Sequence, residues 1–513
     1  MEAVKTKTEM IVASENLTHL IAALIPSVIL AILVIKKGLR ALEEWKFARK
    51  NQCRKPPVAP SRFLGVGRMI ALLSAMKECE SLELIRSWHR QYGKTYRMSL
   101  GRTVTMTIEP KNVQTILALK FKDFDLGYYR NKSLSPLLGK GIFSSDGEIW
   151  AHSRALLRPN FARSQIADIE VYEKHVSSLI ANIPSDGSTV DMQDLFFRMT
   201  IDSATEFLFG ESINSLDANS QESTFANNFN MSQDGLAIRT RMGPLMALHR
   251  DKAFTKATIE ARHFVDQFVQ RAIDYQAASG DSKETAKALD QRYIFLYELS
   301  KQTTDRTVLT DQLLNILLAG RDTTASLLSI TFFVLSRRPD IWSKLREDVL
   351  KFEGERPSFE DLKSMTYLTW VMNETLRLYP VVPLNTRMAN KDTYLPVGGG
   401  ADGKDPVFVP KGQEVFYSVY SMHRLPEVYG TDATEYRPER WASLKPGWAY
   451  IPFNGGPRIC IGQQFALTEA GYTIARIVRQ FKSIECRDPR PFKESLTLTM
   501  ASKNGTKVAL IPT

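Results

Sequence analysis

Along most of the chain, apolar residues recur at three- and four-residue spacing, the period of an amphipathic helix. This spacing predicts helices over 84–92, 144–180, 190–212, 255–277, 308–337, 340–352, 359–378 and 463–480. Two-residue alternation, the mark of a strand with one buried face, is short and scattered. It predicts strands over 95–100, 103–109, 385–388, 407–409, 414–418 and 495–511. Inside the last of these, Asn504-Gly505 separates 495–501 from 507–511, the dipeptide a tight hairpin prefers. From about residue 61 onward there is no internal repeat and no second linker rich in Gly, Ser or Pro. The expectation is one large domain over 61–513, mainly α with small β-sheets.

The segment before that body has a different pattern. Leu17 to Ile35 carries no formal charge over 19 residues. As a helix it spans roughly 28 Å, close to the hydrocarbon thickness of a bilayer. Lys36, Lys37, Arg40, Lys46, Arg49, Lys50, Arg54 and Lys55 follow it, against Glu43 and Glu44. Basic residues after an apolar run keep that side in the cytosol, so 1–16 is expected in the lumen and the body in the cytosol. A cleaved signal peptide would place its charges before the run and a small-residue site after it. The pattern predicts a transmembrane signal anchor at 17–35, in a single pass of the endoplasmic reticulum membrane. Residues 36–60 follow as a basic linker, which Pro56, Pro57 and Pro60 make stiff and extended.

Composition narrows the class. Of 513 residues, 43% are hydrophobic and 24% charged, which excludes disorder, collagen and coiled coil as the main state. The net charge is +11, of which 36–55 supplies +6. The remainder forms no basic stripe interleaved with aromatics, so no nucleic-acid partner is expected. The four cysteines, Cys53, Cys79, Cys460 and Cys486, include no CxxC pair. They exclude a disulfide framework, a zinc ribbon and a thioredoxin site, and fit a reducing compartment.

Cys460 has the most informative surroundings. Gly455-Gly456-Pro457 forces a turn, and a helical pattern begins at Gln463. The cysteine then sits at a helix start, where open amides and the helix dipole favour a thiolate. Arg458 offers a fixed cationic fork for a carboxylate. An inert buried cysteine, or a nucleophile with His423 as its base, would use the same residue, but neither accounts for the Phe, Gly and Arg at set offsets. The pattern Phe453-x-x-Gly456-x-Arg458-x-Cys460-x-Gly462 resembles the heme-binding loop of the cytochrome P-450 family. Its five fixed positions arise by chance in roughly one chain of several thousand this long.

Three more motifs follow the order of that family. Glu374-Thr375-Leu376-Arg377 is similar to its Glu-x-x-Arg, and residues three apart on a helix share a face. Arg440, in Pro438-Glu439-Arg440-Trp441, supplies a third member, with Trp where Phe is more common. All three are read as structural, backing the cysteine loop. Ala319-Gly320-Arg321-Asp322-Thr323-Thr324 interrupts an apolar helix with polar residues. An exposed Asp, or a Thr bonded back to its own helix, would explain it. The resemblance implies instead the acid–alcohol pair of oxygen-activating members, Asp322 and Thr323. It also implies that Trp150 and Arg154, four apart on one helix face, and Arg387, seven residues after Pro380, hold heme propionates together with Arg458.

Within the family, three stretches resemble a fungal branch, the alkane- and fatty-acid-hydroxylating enzymes of yeasts. They are Leu137–Phe143 with Asp146-Gly147 and Trp150–Arg154, Leu395–Gly400 with Asp402-Gly403, and Gly447–Tyr450 leading into Gly462–Ala470. The resemblance implies heme b with Cys460 as axial iron ligand, dioxygen as cosubstrate, and electrons from NADPH. Those electrons would come through NADPH-cytochrome P-450 reductase, with cytochrome b5 as a further partner. It places an apolar substrate against 121–138, 226–250, Ala319, Val381 to Leu384 and Thr499 to Ser502. Three functions stay open: hydroxylation of a fatty acid or alkane at or near its terminal carbon, tailoring of a fungal secondary metabolite, and heme binding without catalysis.

Overall fold

The helical period dominates the computed structural model. Its described residues are 2–60, 65–161, 169–217, 224–279, 293–352, 354 and 356–513; for 2–23, 26, 278 and 279 only the backbone course is described. Helices α1 (Glu2–Lys50), α2 (Val66–Lys77) and α3 (Ser81–Tyr92) lead into strands β1 (Thr95–Ser99) and β2 (Thr103–Thr107). After α4 (Pro110–Gln114) and β3 (Phe124–Asp125) come α5 (Tyr128–Leu138), α6 (Gly147–Leu157) and α7 (Glu170–Ala181). Strand β4 (Val190–Asp191) precedes α8 (Met192–Phe209), α9 (Thr224–Met242), α10 (Lys252–Ser279), α11 (Phe295–Ser300) and α12 (Arg306–Leu335). Then follow α13 (Pro339–Leu350), α14 (Phe359–Ser364) and α15 (Thr366–Leu378). Strands β5 (Leu384–Ala389), β6 (Thr393–Gly399), β7 (Asp405–Val409) and β8 (Glu414–Ser418) come next, then α16 (Val419–Met422), α17 (Pro426–Tyr429) and α18 (Gln463–Gln480). The chain ends on β9 (Phe481–Cys486), β10 (Glu494–Leu496), β11 (Met500–Ser502) and β12 (Lys507–Pro512). Helices outweigh strands throughout.

Helix α12 is the axis of the body. Asp305 caps it by accepting from the amides of Thr307 and Val308. Leucine, isoleucine and phenylalanine surround it, so it is buried on every face, as an all-round apolar helix must be. Its first half, Leu309 to Leu318, packs in one hydrophobic cluster with α8, α10 and α11. Its second half, Ala325 to Leu335, packs in another with α7, α13, α15 and α18. The polar stretch 319–324 falls at the seam between the two cores.

The largest sheet has the order β1-β2-β8-β5-β3, with β2 and β8 parallel and the other pairs antiparallel. Strands β6 and β7 form a separate hairpin, β10 pairs with β11, and β12 lies between β4 and β9. This last arrangement corrects the hairpin expected at Asn504-Gly505. That turn carries the chain from one sheet to another, because Asp191 holds it: its carboxylate accepts from the amides of Thr506 at 2.8 Å and Gln193 at 3.0 Å. Gly505 has φ +74°, and a Cβ there would lie 2.0 Å from the Asp191 carboxylate.

Other boundaries move for local reasons. The helix expected over 144–180 starts at Gly147 and passes into a 3-10 turn at Arg158–Phe161, where Pro159 has no amide to give. Residues 162–168 lie outside the described residues. The helix expected over 359–378 is two, broken at Met365. Ser358 and Asp361 form a capping box on the first. Asp348 of α13 accepts the Tyr367 amide at 2.8 Å and so starts the second.

The sequence motif at Glu374 forms a closed network. Glu374 and Arg377 are both fully buried. Arg377 Nε and Nη2 donate to Glu374 at 2.9 and 2.8 Å. Arg440 Nε, Trp441 Nε1 and the Arg437 amide complete the carboxylate's shell at 2.9, 3.0 and 2.9 Å. Arg377 donates onward to the carbonyls of His423, Ala433 and Glu435. A buried ion pair is tolerable only when its remaining hydrogen bonds are met in this way. His423 extends the network. Its Nε2 accepts the Ile451 amide at 3.0 Å, which leaves the proton on Nδ1, facing the Arg377 carbonyl at 3.2 Å. Residue 451 opens the approach to the cysteine loop, so the brace is wired to that loop.

Helix α1 continues unbroken to Lys50, and its end is fastened to the body. Arg40 pairs with Asp392 through both guanidinium nitrogens, one at 2.9 Å. The ring of Phe47 lies 5.5 Å from that of Phe408. Beyond the helix, the Arg54 amide donates to the Pro406 carbonyl at 2.8 Å. Residues 57–59 are extended but laid along β1, through Arg97 N–H to the Pro57 carbonyl and Ala59 N–H to the Arg97 carbonyl, both at 2.8 Å. No helix of the described residues is long and apolar enough to cross a membrane. The span expected at 17–35 lies partly outside the residues whose side chains are described.

Two outcomes are expected. Arg40→Glu should loosen the end of α1 without unfolding the body, since a part-exposed pair contributes under about 1 kcal/mol. Limited proteolysis would then cut faster within 51–60, and adding Asp392→Arg should restore resistance. The second concerns acid. Burial lowers the His423 imidazole from 6.5 to about 3 and His89 to about 4. Both stay neutral in the fold while the unfolded forms take up protons below 6.5. Their contribution is complete above 6.5 and is lost as the pH falls toward 3. Each steepens the loss by up to about 1.4 kcal/mol per pH unit. Denaturant midpoints at pH 6.5, 5.5 and 4.5 should fall less steeply in His423→Asn than in the parent chain.

Candidate active site

The cysteine loop is shaped by backbone contacts. Gly456 has φ +66°, and a Cβ there would lie 1.8 Å from the Leu117 carbonyl oxygen, so only glycine fits. The 3-10 turn Gly456–Arg458 closes with Ile459 N–H on the Gly456 carbonyl at 3.0 Å. Cys460 N–H donates to the Phe453 carbonyl at 3.0 Å, which pins the two ends of the loop together. Gly462 then forms the N-cap of α18. Phe453 packs against the core that holds the second half of α12, and Ile461 against the core that holds the first. The loop therefore addresses the seam where 319–324 lies.

Cys460 is exposed, yet protein crowds its sulfur enough for burial to raise the thiol above the ordinary value. The Gly462 amide and the Arg154 guanidinium pull the thiol down, but burial outweighs them. Coordination to a metal ion would deprotonate it outright. His423, weighed as a base for a nucleophilic cysteine, has both nitrogens committed to backbone groups and does not serve it.

Beside the loop, three arginines converge. Arg458 donates to Asp146 at 2.7 Å and to the Ser145 carbonyl at 3.2 Å, and its Nε is buried without a partner. Arg387, 3% exposed on β5, donates to Asn385 Oδ1 at 3.1 Å and to the Thr386 carbonyl at 2.7 Å. Arg130 of α5 reaches the same Asn385 oxygen at 2.8 Å. Burial lowers both Arg458 and Arg130 to about 10, and their repulsion with Arg387 adds to it. Among the described residues, Asp146 is the one carboxylate bonded to any of the three. Trp150 stacks under Arg458 with its ring 4.3 Å from the guanidinium carbon. Arg154, expected beside Trp150, instead donates to the Ile459 carbonyl at 3.0 Å, next to the cysteine.

The polar stretch of α12 is held tightly. Thr323 Oγ1 donates to the Ala319 carbonyl at 2.7 Å, the back-bond open to any helical threonine. Asp322 is buried and accepts from Arg321 at 3.0 Å; burial raises its carboxyl, and Arg321 and Gln233 pull it back. Glu469 of α18 accepts from Ser203 of α8 at 2.6 Å and faces the Thr324 hydroxyl, which has no partner at hydrogen-bond distance. Burial raises Glu469 to about 7. A Cβ on Gly320 would meet only Ala204 of α8, at 3.8 Å.

Sequence reading missed Arg130, Asp146 as the partner of Arg458, and the Ser203–Glu469 contact. Arg130 belongs to no spaced motif. The other two join residues hundreds of positions apart.

These residues suit a heme. Its two propionates are anions, and the site offers three guanidiniums, Arg387 buried and Arg130 and Arg458 half-buried, with one bonded carboxylate between them. Its iron takes a thiolate, and the one cysteine of the loop is accessible.

Comparison with known proteins agrees. The family model described as cytochrome P450 matches residues 60–508. Cytochrome P450 monooxygenase himC of Aspergillus japonicus is 47% identical over 88% of this chain and 82% of its own length. Cytochrome P450 52A3-B of Candida maltosa is 45% identical over 91% of this chain and 94% of its own. Cytochrome P450 52A13 of Debaryomyces hansenii is 48% identical over 80% and 82%. A match that spans nearly the whole folded body, with relatives covered over four-fifths or more of their length, places this chain in the cytochrome P450 family as a monooxygenase.

Proposed function

We propose that this monooxygenase hydroxylates a fatty acid or n-alkane at or near its terminal carbon, with electrons from NADPH through a reductase. The observation that carries the heme-centred reading is the group Arg130, Arg387 and Arg458 beside an accessible Cys460. Cys460 would ligate the iron. Trp150, Arg154, Arg387 and Arg458 would hold the propionates by charge-assisted bonds, and Phe453 would fix the loop. When bound, the heme supplies dioxygen activation and insertion of one oxygen atom into a C–H bond.

The protein's part is position and protons. Asp322, buried and drawn toward neutrality, can hold a proton. The Thr323 hydroxyl can pass one on once it turns from the Ala319 carbonyl. Substrate specificity would lie in 121–138, 226–250, Ala319, Val381 to Leu384 and Thr499 to Ser502. Two of these segments already meet, Met500 N–H donating to the Val381 carbonyl at 2.9 Å. The yeast relatives accord with the branch that the sequence resembles. The relative from Aspergillus stands as near in identity, and supports a second reading, the tailoring of a fungal secondary metabolite.

We also read 17–35 as the transmembrane anchor in the endoplasmic reticulum, with 1–16 lumenal and 61–513 cytosolic. In support, Leu24, Ile25, Val28, Ile29, Leu30, Leu33, Val34 and Ile35 of α1 are exposed, as lipid-facing residues would be, and the basic cluster follows them.

Membranes co-expressing the chain and a fungal reductase, given NADPH with dodecanoic acid or hexadecane, should yield terminal hydroxy or dicarboxylic acids by mass spectrometry. A normal ferrous-CO spectrum without such products would turn the assignment to the second reading. Cys460→Ala should lose the heme-thiolate CO spectrum, and its retention would refute the ligand. Thr323→Ala should keep that spectrum while product per NADPH falls by about tenfold or more, the electrons appearing as hydrogen peroxide.

A further inference from the structure

Arg321 and Asp322 are consecutive on α12, and consecutive helical side chains point about 100° apart. A bond between them is therefore not supplied by the helix. Yet Arg321 Nη1 donates to Asp322 Oδ1 at 3.0 Å, with the two residues only 5% and 2% exposed. The cause lies on neighbouring helices. The Arg321 guanidinium sits over the ring of Phe197 on α8, 5.2 Å away, and over Phe229 on α9, 5.9 Å away. Two aromatic faces turned toward one cation fold the arginine back onto its neighbour.

The charges around Asp322 are few. From its own helix comes Arg321. From α9 come Gln233, whose buried amide nitrogen lacks a partner at hydrogen-bond distance, and Asp234, whose charge opposes ionisation. From α18, Glu469 faces Thr324 rather than Asp322. Arg321 is thus the one cation acting on this carboxyl among the described residues.

We propose that Arg321 is a positioning residue for proton delivery, held by Phe197 and Phe229 so that it fixes the direction and charge of the Asp322 carboxyl. This rests on the reading of Asp322 and Thr323 as the proton route. Burial favours the neutral acid, and Arg321 opposes it. The carboxyl's readiness to take up or release a proton is set by these two opposing effects. The rings that hold Arg321 belong to two different helices, and α9 also carries part of the segment assigned to substrate. A shift of α9 on substrate binding would then be felt at Asp322.

The test is a pH titration of the full chain by infrared difference spectroscopy, following the protonated carboxyl band that Asp322→Asn removes. Arg321→Met should move its midpoint up by about one pH unit or more, the effect of losing a cation at this distance. The pH profile of product per NADPH should move with it, and Arg321→Lys should restore most of the shift. Combined with Asp322→Asn, Arg321→Met should add nothing further. A midpoint unchanged in Arg321→Met overturns the proposal. If that variant fails to fold, Phe229→Leu carries the test: a shift in the same direction supports it and none overturns it. If Asp322→Asn leaves coupling intact while the band still shifts, the proton route fails and the pairing stands. If Asp322→Asn uncouples turnover and the band stays put in Arg321→Met, the pairing fails and the route stands.

Discussion

The Glu374 carboxylate, fully buried and shared by two arginines, an indole and a backbone amide, is the interaction on which the site's geometry depends. Taken singly, each of these charges would be expensive to bury, of order several kcal/mol. Together they satisfy one another, and the arginines spend their remaining donors on carbonyls of the segment 423–435. An irregular stretch is thereby given the fixity of a helix. His423 passes that fixity to Ile451, two residues before the loop that ends in Cys460. The sulfur is placed by a chain of hydrogen bonds that begins well outside the loop itself.

A second constraint is an imbalance of charge. Two of the polar assemblies differ in this respect. The brace is complete, with every strong donor matched. The arginines at 130, 387 and 458 share a single bonded carboxylate, Asp146, and the Nε of Arg458 has no partner. Proteins rarely bury unmatched cations without a ligand to meet them.

Much of this was legible in the sequence where periodicity was strong and local. The helix read at 463–480 and the strand at 414–418 have those bounds in the structure, and the long helix at 308–337 differs from α12 by two residues at each end. Legibility failed where the cause was tertiary. The break at Met365 comes from the Asp348 carboxylate on another helix, and the end of the chain pairs across sheets because Asp191 captures its turn. Helices α5 and α9 went unread because one carries Pro136 and the other is rich in Asn, Ser and Gln, so neither shows a clean apolar stripe. At the site, spacing found the residues of the loop and of the brace. It could not find Arg130, nor the bond between Arg321 and Asp322, which depends on rings from α8 and α9.

Helix α1 has a mechanical meaning as well. Its 49 residues amount to a rod of roughly 73 Å, with no joint before Lys50. A rod gripped at one end by Asp392 and Phe408 behaves as a lever. Its grip falls on the β6–β7 hairpin, where Asp392 flanks β6 and Phe408 lies on β7. Through the bond from Arg97 to the Phe408 carbonyl it reaches the sheet that carries Arg387. Whatever holds the far end of the rod therefore bears, through that grip, on the orientation of the body.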